Sequence, residues 1–270
     1  MATMSGERLG SVGLAQTRRL LSERDLTIVA QVGELRLMRV AQIEKAHFPI
    51  ENFASELSAR RVARRVLERL TRERLLVRLE RRIGGAMTGS AGFVYGLGPV
   101  GARVLGDDNA RRHYREPSEA FLEHTLAIAD VVVDLLVGRR SGGFEVLELE
   151  AEPRCWRSHN GLGGRQLLRP DLFVSLGIGE FEHRCFLEID LGTEHLPTLV
   201  RKCQAYLVHY RSGVEQETHG VYPTVWWVVQ TRRRVEQLTK ALQRTRGPVD
   251  NLFVVTLAED AVKELTAGLR

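Results

Sequence analysis

Cysteine is scarce, with Cys155, Cys185 and Cys203 the only three in 270 residues, an odd number without C-x-x-C spacing. A disulfide framework and a zinc knuckle are both excluded, and the three read as reduced, ordinary residues. No stretch approaches the roughly 18 consecutive apolar residues of a membrane helix, and Met1 to Gly13 lacks the apolar run of a signal peptide. A cytoplasmic protein without membrane contact is therefore expected. Aromatics supply 6 % of the chain, yet hydrophobic residues reach 43 % and charged residues 27 %. That balance excludes disorder as the main state and gives room for one large or two modest domains. No Walker-type loop, nucleophile elbow or dinucleotide fingerprint occurs.

Lysine is also rare. Lys45, Lys202, Lys240 and Lys263 are the only four among 39 basic residues, set against 34 acidic ones for a net charge of +5. Coding bias toward arginine accounts for that ratio but not for where the arginines lie. Between Glu56 and Arg82 ten arginines face four glutamates, a local +6 that leaves the rest of the chain at −1.

The segment with this charge has the pattern of a small helical module. Ser22 with Asp25 begins an N-cap pattern, and Leu26, Ile28, Val29, Val32 and Leu35 predict a helix over 23–34. Met38, Val40, Ile43 and Ala46 fit a short second helix ending before Phe48-Pro49. Ser55 or Ser58 caps a third, running to about Glu73, with Leu57, Val62, Val66 or Leu67, and Leu70 as its apolar stripe. Its remaining circumference carries Arg60, Arg61, Arg64, Arg65, Arg69 and Arg72. Strands over 75–79 and 93–97, joined by a Gly-rich loop over 84–92, complete a winged helix-turn-helix over 21–106. In that reading the third helix enters the major groove of double-stranded DNA. Arg81 and Arg82 at the wing join Arg60, Arg61, Arg64, Arg65 and Arg69 as DNA-binding residues, because arginine pairs bidentately with phosphates and guanine edges. The alternative is a helical module whose arginines are solvated or meet a partner protein.

Residues 1–20 are expected to be a disordered N-terminus, and the polar, turn-rich stretch 107–117 a linker. The second domain, 118–270, opens with a helix over 120–137. Strands follow over 144–149, 172–176 and 185–190, then a helix over 196–210, a strand over 224–230, a helix over 233–244, a strand over 252–256 and a short helix from Glu259. The order αβββαβαβ suits an α/β sandwich. Trp226-Trp227 lies in its most apolar strand and reads as core plus interface packing. His183, Cys185, His195 and Cys203 lack regular ligand spacing, which argues against zinc, and His124 reads as a half-buried helix residue.

Carboxylates stand where a core strand would not want them. Asp171 starts the second strand, and Glu188 and Asp190, two apart, share a face of the third. If these strands pair as a hairpin, three carboxylates converge, which is costly without a compensating cation. Mg²⁺ or Mn²⁺ suits such oxygen ligands and can activate water against a phosphodiester. Lys202, on the next helix, can supply the positive group for a pentacovalent phosphate. Otherwise the three acids are solvated strand ends paired with Arg169, Arg184 or Arg201.

Pro170-Asp171 followed by Glu188-Ile189-Asp190 in this frame resembles the PD-(D/E)XK nuclease superfamily. With the winged helix, Glu123-His124-Thr125-Leu126-Ala127, the segment Phe186 to Glu194, and Lys202 with Tyr206, the chain from about Leu21 to Leu257 resembles the replication-relaxation family of actinobacterial plasmids and mobile elements. The resemblance implies an α+β or α/β fold in which a winged helix precedes a restriction-endonuclease-like αβββαβ sandwich. It implies metal binding at Asp171, Glu188 and Glu123, and catalysis by Asp171, Glu188, Asp190 and Lys202 with Mg²⁺ or Mn²⁺. Asp190 holds the place where the superfamily usually has its lysine, so Lys202 is read as a migrated lysine. The implied function is DNA binding in replication or relaxation, with metal-dependent nicking. The alternative is a non-catalytic accessory factor or transcriptional regulator whose degenerate nuclease fold serves dimerisation or partner binding. Besides DNA, both readings leave room for a second copy of the chain and for replication or mobilisation proteins.

Overall fold

A computed structural model describes residues 11–79, 92–106, 117–161, 164–244 and 252–267. The chain forms two compact units, Met1–Ala129 and Asp130–Arg270, each with its own helices and sheet. This mixed α+β organisation matches the expected class. Among the described residues no helix is long and apolar enough to cross a membrane.

The first unit begins with α1, Ser11–Leu20, inside the stretch expected to be disordered. α2, Glu23–Leu35, starts where the capping pattern placed it: Asp25 N donates to Ser22 Oγ at 3.2 Å and Ser22 N donates back to Asp25 Oδ2 at 3.0 Å. The second helix is displaced from its expected start. Met38 belongs to a strand, β1, Leu37–Arg39, and α3 runs from Val40 to His47. The reason is tertiary: Leu37 to Arg39 pair antiparallel with Val94 to Gly96, which overrides a helical spacing of only four apolar residues. α4, Glu56–Arg72, is capped by Ser55, whose Oγ accepts from Ser58 N at 3.2 Å. Its buried stripe is Ala59, Ala63, Val66, Leu67 and Leu70, and the expected stripe residue Leu57 is 59 % exposed.

β2, Leu76–Arg78, and β3, Val94–Leu97, complete a sheet of order β1-β3-β2, and α5, Pro99–Val104, follows. At the entry to α5 the backbones approach closely. A Cβ on Gly98 would lie 2.2 Å from the Arg74 carbonyl oxygen, and one on Gly101 equally close to that of Leu75. α6 runs from Glu119 to Gly138, and the boundary between the units falls within it. Its Leu122 and Leu126 pack with Leu37, Leu79 and Val94, and Gln42 Nε2 donates to the Leu126 carbonyl at 2.8 Å. The start of this helix is thus core of the first unit.

The second unit is built on five strands: β4, Glu145–Ala151; β7, Leu172–Ile178; β8, Phe181–Asp190; β9, Thr224–Val229; and β10, Phe253–Leu257. Their order is β10-β9-β8-β7-β4. β4, β7 and β8 are antiparallel neighbours, whereas β8, β9 and β10 run parallel, as their helical crossovers require. Those crossovers are α7, Leu196–Ser212, and α9, Arg232–Arg244. Between β4 and β7 lies an unexpected hairpin, β5, Arg157–Gly161, and β6, Gly164–Leu168. Its residues are polar and mostly exposed, so no apolar alternation betrays it. Short helices α8, Val214–His219, and α10, Ala261–Thr266, complete the unit. The core lies between α7 and one face of β7, β8 and β9, with one cluster of Phe173, Phe186 and Val225 around Tyr206 and a second of Trp227, Val229, Leu199 and Leu238. Trp226 and Trp227 are core as expected, and all three cysteines are free and buried.

Candidate functional site

In the first unit the helical period of α4 turns five small and branched apolar residues inward and leaves Arg60, Arg61, Arg64 and Arg65 exposed. Two of the expected DNA-binding residues have ion-pair partners within the unit. Arg60 meets Glu56 at 2.6 Å one turn away and Glu44 at 3.9 Å. Arg69 is half-buried, and its Nη2 donates to Asp25 Oδ1 at 2.7 Å. Burial works against the Asp25 carboxylate, but the Arg69 guanidinium and the Ser22 bonds outweigh it and hold the pKa below the ordinary value. Arg69 therefore ties α4 to the first turn of α2, while Arg61, Arg64 and Arg65 point their charge outward. Arg81 and Arg82 lie outside the described residues.

In the second unit the carboxylates sit at the end of the β7–β8 ladder. Leu172 pairs with Leu187 in the antiparallel register, so Asp171 stands across from Glu188. Two hydrogen bonds fix this placement: Asp171 N donates to the Leu187 carbonyl at 3.2 Å, and Ile189 N donates to Asp171 Oδ2 at 2.7 Å. Both acids, with Asp190, are buried. α7 presents Lys202 and Tyr206, one helical turn apart, to the two oxygens of Glu188. Lys202 Nζ donates to Oε2 at 3.2 Å and Tyr206 OH donates to Oε1 at 2.6 Å.

The charges shape one another. Burial and then the neighbouring Asp171 carboxylate raise the Glu188 pKa to about 8 against the pull of Lys202 and Tyr206. Burial would lower the Lys202 ammonium, but Glu188, Asp171 and Glu194 more than reverse it, so this lysine holds its proton more firmly than an ordinary one. Tyr206 is pushed well above its usual value by burial and by the carboxylate it serves, and remains a phenol donor.

Asp190 goes elsewhere. Its carboxylate is taken by Arg234, whose Nε donates to Oδ2 and whose Nη2 donates to Oδ1 at 3.3 Å. Sequence reasoning missed Arg234, 44 residues away. The parallel pairing of Asp190 with Val229 brings the start of α9 to the end of β8, and a single arginine in an arginine-rich chain gives no signal of that. Arg169, Arg184 and Arg201, the alternative partners, are occupied otherwise: Arg169 stacks 5.0 Å over the Trp156 ring, Arg184 meets Glu182 at 2.7 Å, and Arg201 donates to Thr198 Oγ1 at 3.2 Å.

Glu123 is exposed on α6 and belongs to the first unit, so its place in a metal site rests on the resemblance. Among the described residues no group of three or more His, Cys, Asp and Glu side chains is placed to hold a metal ion. The pair Asp171 and Glu188 nevertheless has the chemistry of a hard-cation site, because Mg²⁺ commonly takes one or two carboxylates and fills its remaining positions with water and phosphate oxygens.

No curated protein and no solved structure matches the chain. The family model described as replication-relaxation matches residues 29–225, from α2 through the arginine helix, both carboxylate strands and α7 into β9. The chain belongs to the replication-relaxation family.

Proposed function

We propose that this protein binds double-stranded DNA through its first unit and cleaves a phosphodiester bond at the carboxylate–lysine site of its second, in the replication or relaxation of a plasmid or mobile element. Family membership supports the setting. The succession α2-β1-α3-α4-β2-β3 with sheet order β1-β3-β2 supports reading the first unit as a winged helix with α4 as recognition helix. The mixed sheet with its carboxylates at the β7–β8 end supports a nuclease-like second unit. One observation carries the enzymatic reading: Lys202, absent from the usual position on the strand, reaches Glu188 from the following helix at 3.2 Å.

The residues divide the work. Asp171 and Glu188, fixed across from each other by the ladder, would hold Mg²⁺ or Mn²⁺. The cation, when bound, polarises the phosphodiester and lowers the pKa of its water. Lys202 offers a fixed positive charge for the negative charge that develops on the phosphate oxygens. Tyr206 holds the Glu188 carboxylate in one orientation.

The test is nicking of supercoiled plasmid with Mg²⁺ or Mn²⁺. Wild type is expected to produce open circles, and Asp171→Ala to be slower by roughly 10²-fold or more, as for loss of a principal electrostatic contact. Equal rates in both, or no nicking by either, refutes the cleavage reading. A second reading has its own observation, since both Glu188 oxygens and the Asp190 carboxylate already have donors in Lys202, Tyr206 and Arg234. In that reading the second unit is a binding module, and metal-independent DNA binding persists without cleavage when Glu188 and Asp190 are replaced by alanine.

A further inference from the structure

The turn between β8 and α7 is tied down more firmly than a surface connection needs. Asp190 Oδ1 accepts from Gly192 N at 2.9 Å, closing a tight turn in which Gly192 has φ +80°, a conformation costly for other residues. Arg234 grips the same turn at two points, with Asp190 at one end and the Glu194 carbonyl at the other, where Nη2 donates at 2.6 Å. Arg234 and Asp190 are both largely withdrawn from water, with side chains 11 % and 2 % exposed. A guanidinium fork can hold a carboxylate and a carbonyl at once, which an ammonium cannot do with comparable geometry. The turn so fixed presents the Glu194 side chain to α7, where Oε1 lies 3.5 Å from Lys202 Nζ. Lys202 thus sits between two carboxylates: Glu188 on the strand and Glu194 on the turn. The Glu194 side chain is 40 % exposed, yet its Oε2 is buried without a hydrogen-bond partner, so that oxygen is held inward at a cost.

We propose that Asp190, Arg234 and Glu194 are positioning residues: Arg234 and Asp190 set the turn, and Glu194 steers the Lys202 ammonium onto the reacting side of Glu188. This rests on the reading of the site as phosphodiester-cleaving. The acid at the usual lysine position then anchors the arginine that allows the lysine to act from the helix instead. Asp190 touches neither metal nor substrate in this scheme. Its effect reaches the reaction through Arg234 and the turn.

The experiment uses the full chain and two readouts. The first is the side-chain ammonium resonance of Lys202 by ¹⁵N NMR without metal or DNA, visible only while the group is held and shielded from fast exchange. The second is single-turnover plasmid nicking with Mg²⁺, alongside DNA affinity. Glu194→Gln is expected to broaden the Lys202 resonance and to slow nicking about three- to fivefold, the scale of one partly exposed charge contact. DNA affinity and melting temperature stay at wild-type values, and Glu194→Asp partly restores both signals. Arg234→Lys, which keeps the charge but not the fork, is expected to reproduce the broadening with the slower rate. A wild-type resonance and wild-type rate in Glu194→Gln overturn the proposal. If the resonance responds to these variants while wild-type protein nicks no plasmid, the positioning stands and the cleavage reading falls. If wild type nicks and Glu194→Gln changes neither readout, the reverse holds.

Discussion

Replacing Lys202 by methionine removes the cation from a carboxylate that cannot return to water. Glu188 has a side chain only 3 % exposed and shares its surroundings with Asp171, whereas Lys202 is 35 % exposed. Breaking a fully buried pair costs about 3–5 kcal/mol, and an exposed one at most about 1, so an intermediate loss of about 2 kcal/mol is expected once Glu188 is ionised in the wild type, at about pH 9.5. The loss depends on pH in a definite direction. The folded-state pKa of Glu188 lies above its unfolded value of 4.5, at about 8, so its contribution to stability is fully present below pH 4.5 and is lost as pH rises toward 8. Without Lys202 the folded pKa rises further, so the variant should stay close to wild type from pH 5 until pH approaches 8 and diverge above it, where only wild-type Glu188 ionises. Trp156, Trp226 and Trp227 all lie in the second unit, and urea unfolding followed by tryptophan fluorescence therefore reports that unit. Combining Lys202→Met with Glu188→Gln removes both charges and should recover most of the loss at about pH 9.5. A deficit of equal size at pH 5 and about pH 9.5, or no recovery in the double variant, refutes the argument that the ammonium compensates a buried carboxylate.

Changing Arg61, Arg64 and Arg65 together to alanine should weaken DNA binding and lower the slope of log affinity against log salt by about 3, one phosphate contact per arginine; fluorescence anisotropy across a salt series measures it, and an unchanged slope removes α4 from the interface. Gly101→Ala would place its Cβ 2.2 Å from the Leu75 carbonyl oxygen, so the first unit should lose about 2–3 kcal/mol. Hydrogen exchange in α5 and β2 would show this, and protection within about 0.5 kcal/mol of wild type contradicts the close approach.

By itself the sequence determined the elements whose causes are local. The Ser22–Asp25 box starts α2, Ser55 caps α4, and a dense apolar period leaves five arginines of α4 outside. The strand-like period and length marked the strands that carry Asp171 and Glu188, the place of Lys202 on the next helix singled out that lysine, and the resemblance added Tyr206. Tertiary structure alone decided three things. It moved Met38 from helix to strand, because pairing with β3 outweighs a short helical period. It turned Arg69 inward to Asp25, which the arginine cluster could not distinguish from its neighbours. It separated Asp190 from Glu188 although both lie on one face of β8: parallel pairing with β9 delivers Arg234 to the first, while α7 delivers Lys202 and Tyr206 to the second. Asp190 and Arg234 lie 44 residues apart along the chain, and their meeting depends on strand order, which no periodicity encodes. The few lysines of this chain take their meaning from that order, since it is the fold that makes Lys202 the cation beside a buried pair of acids.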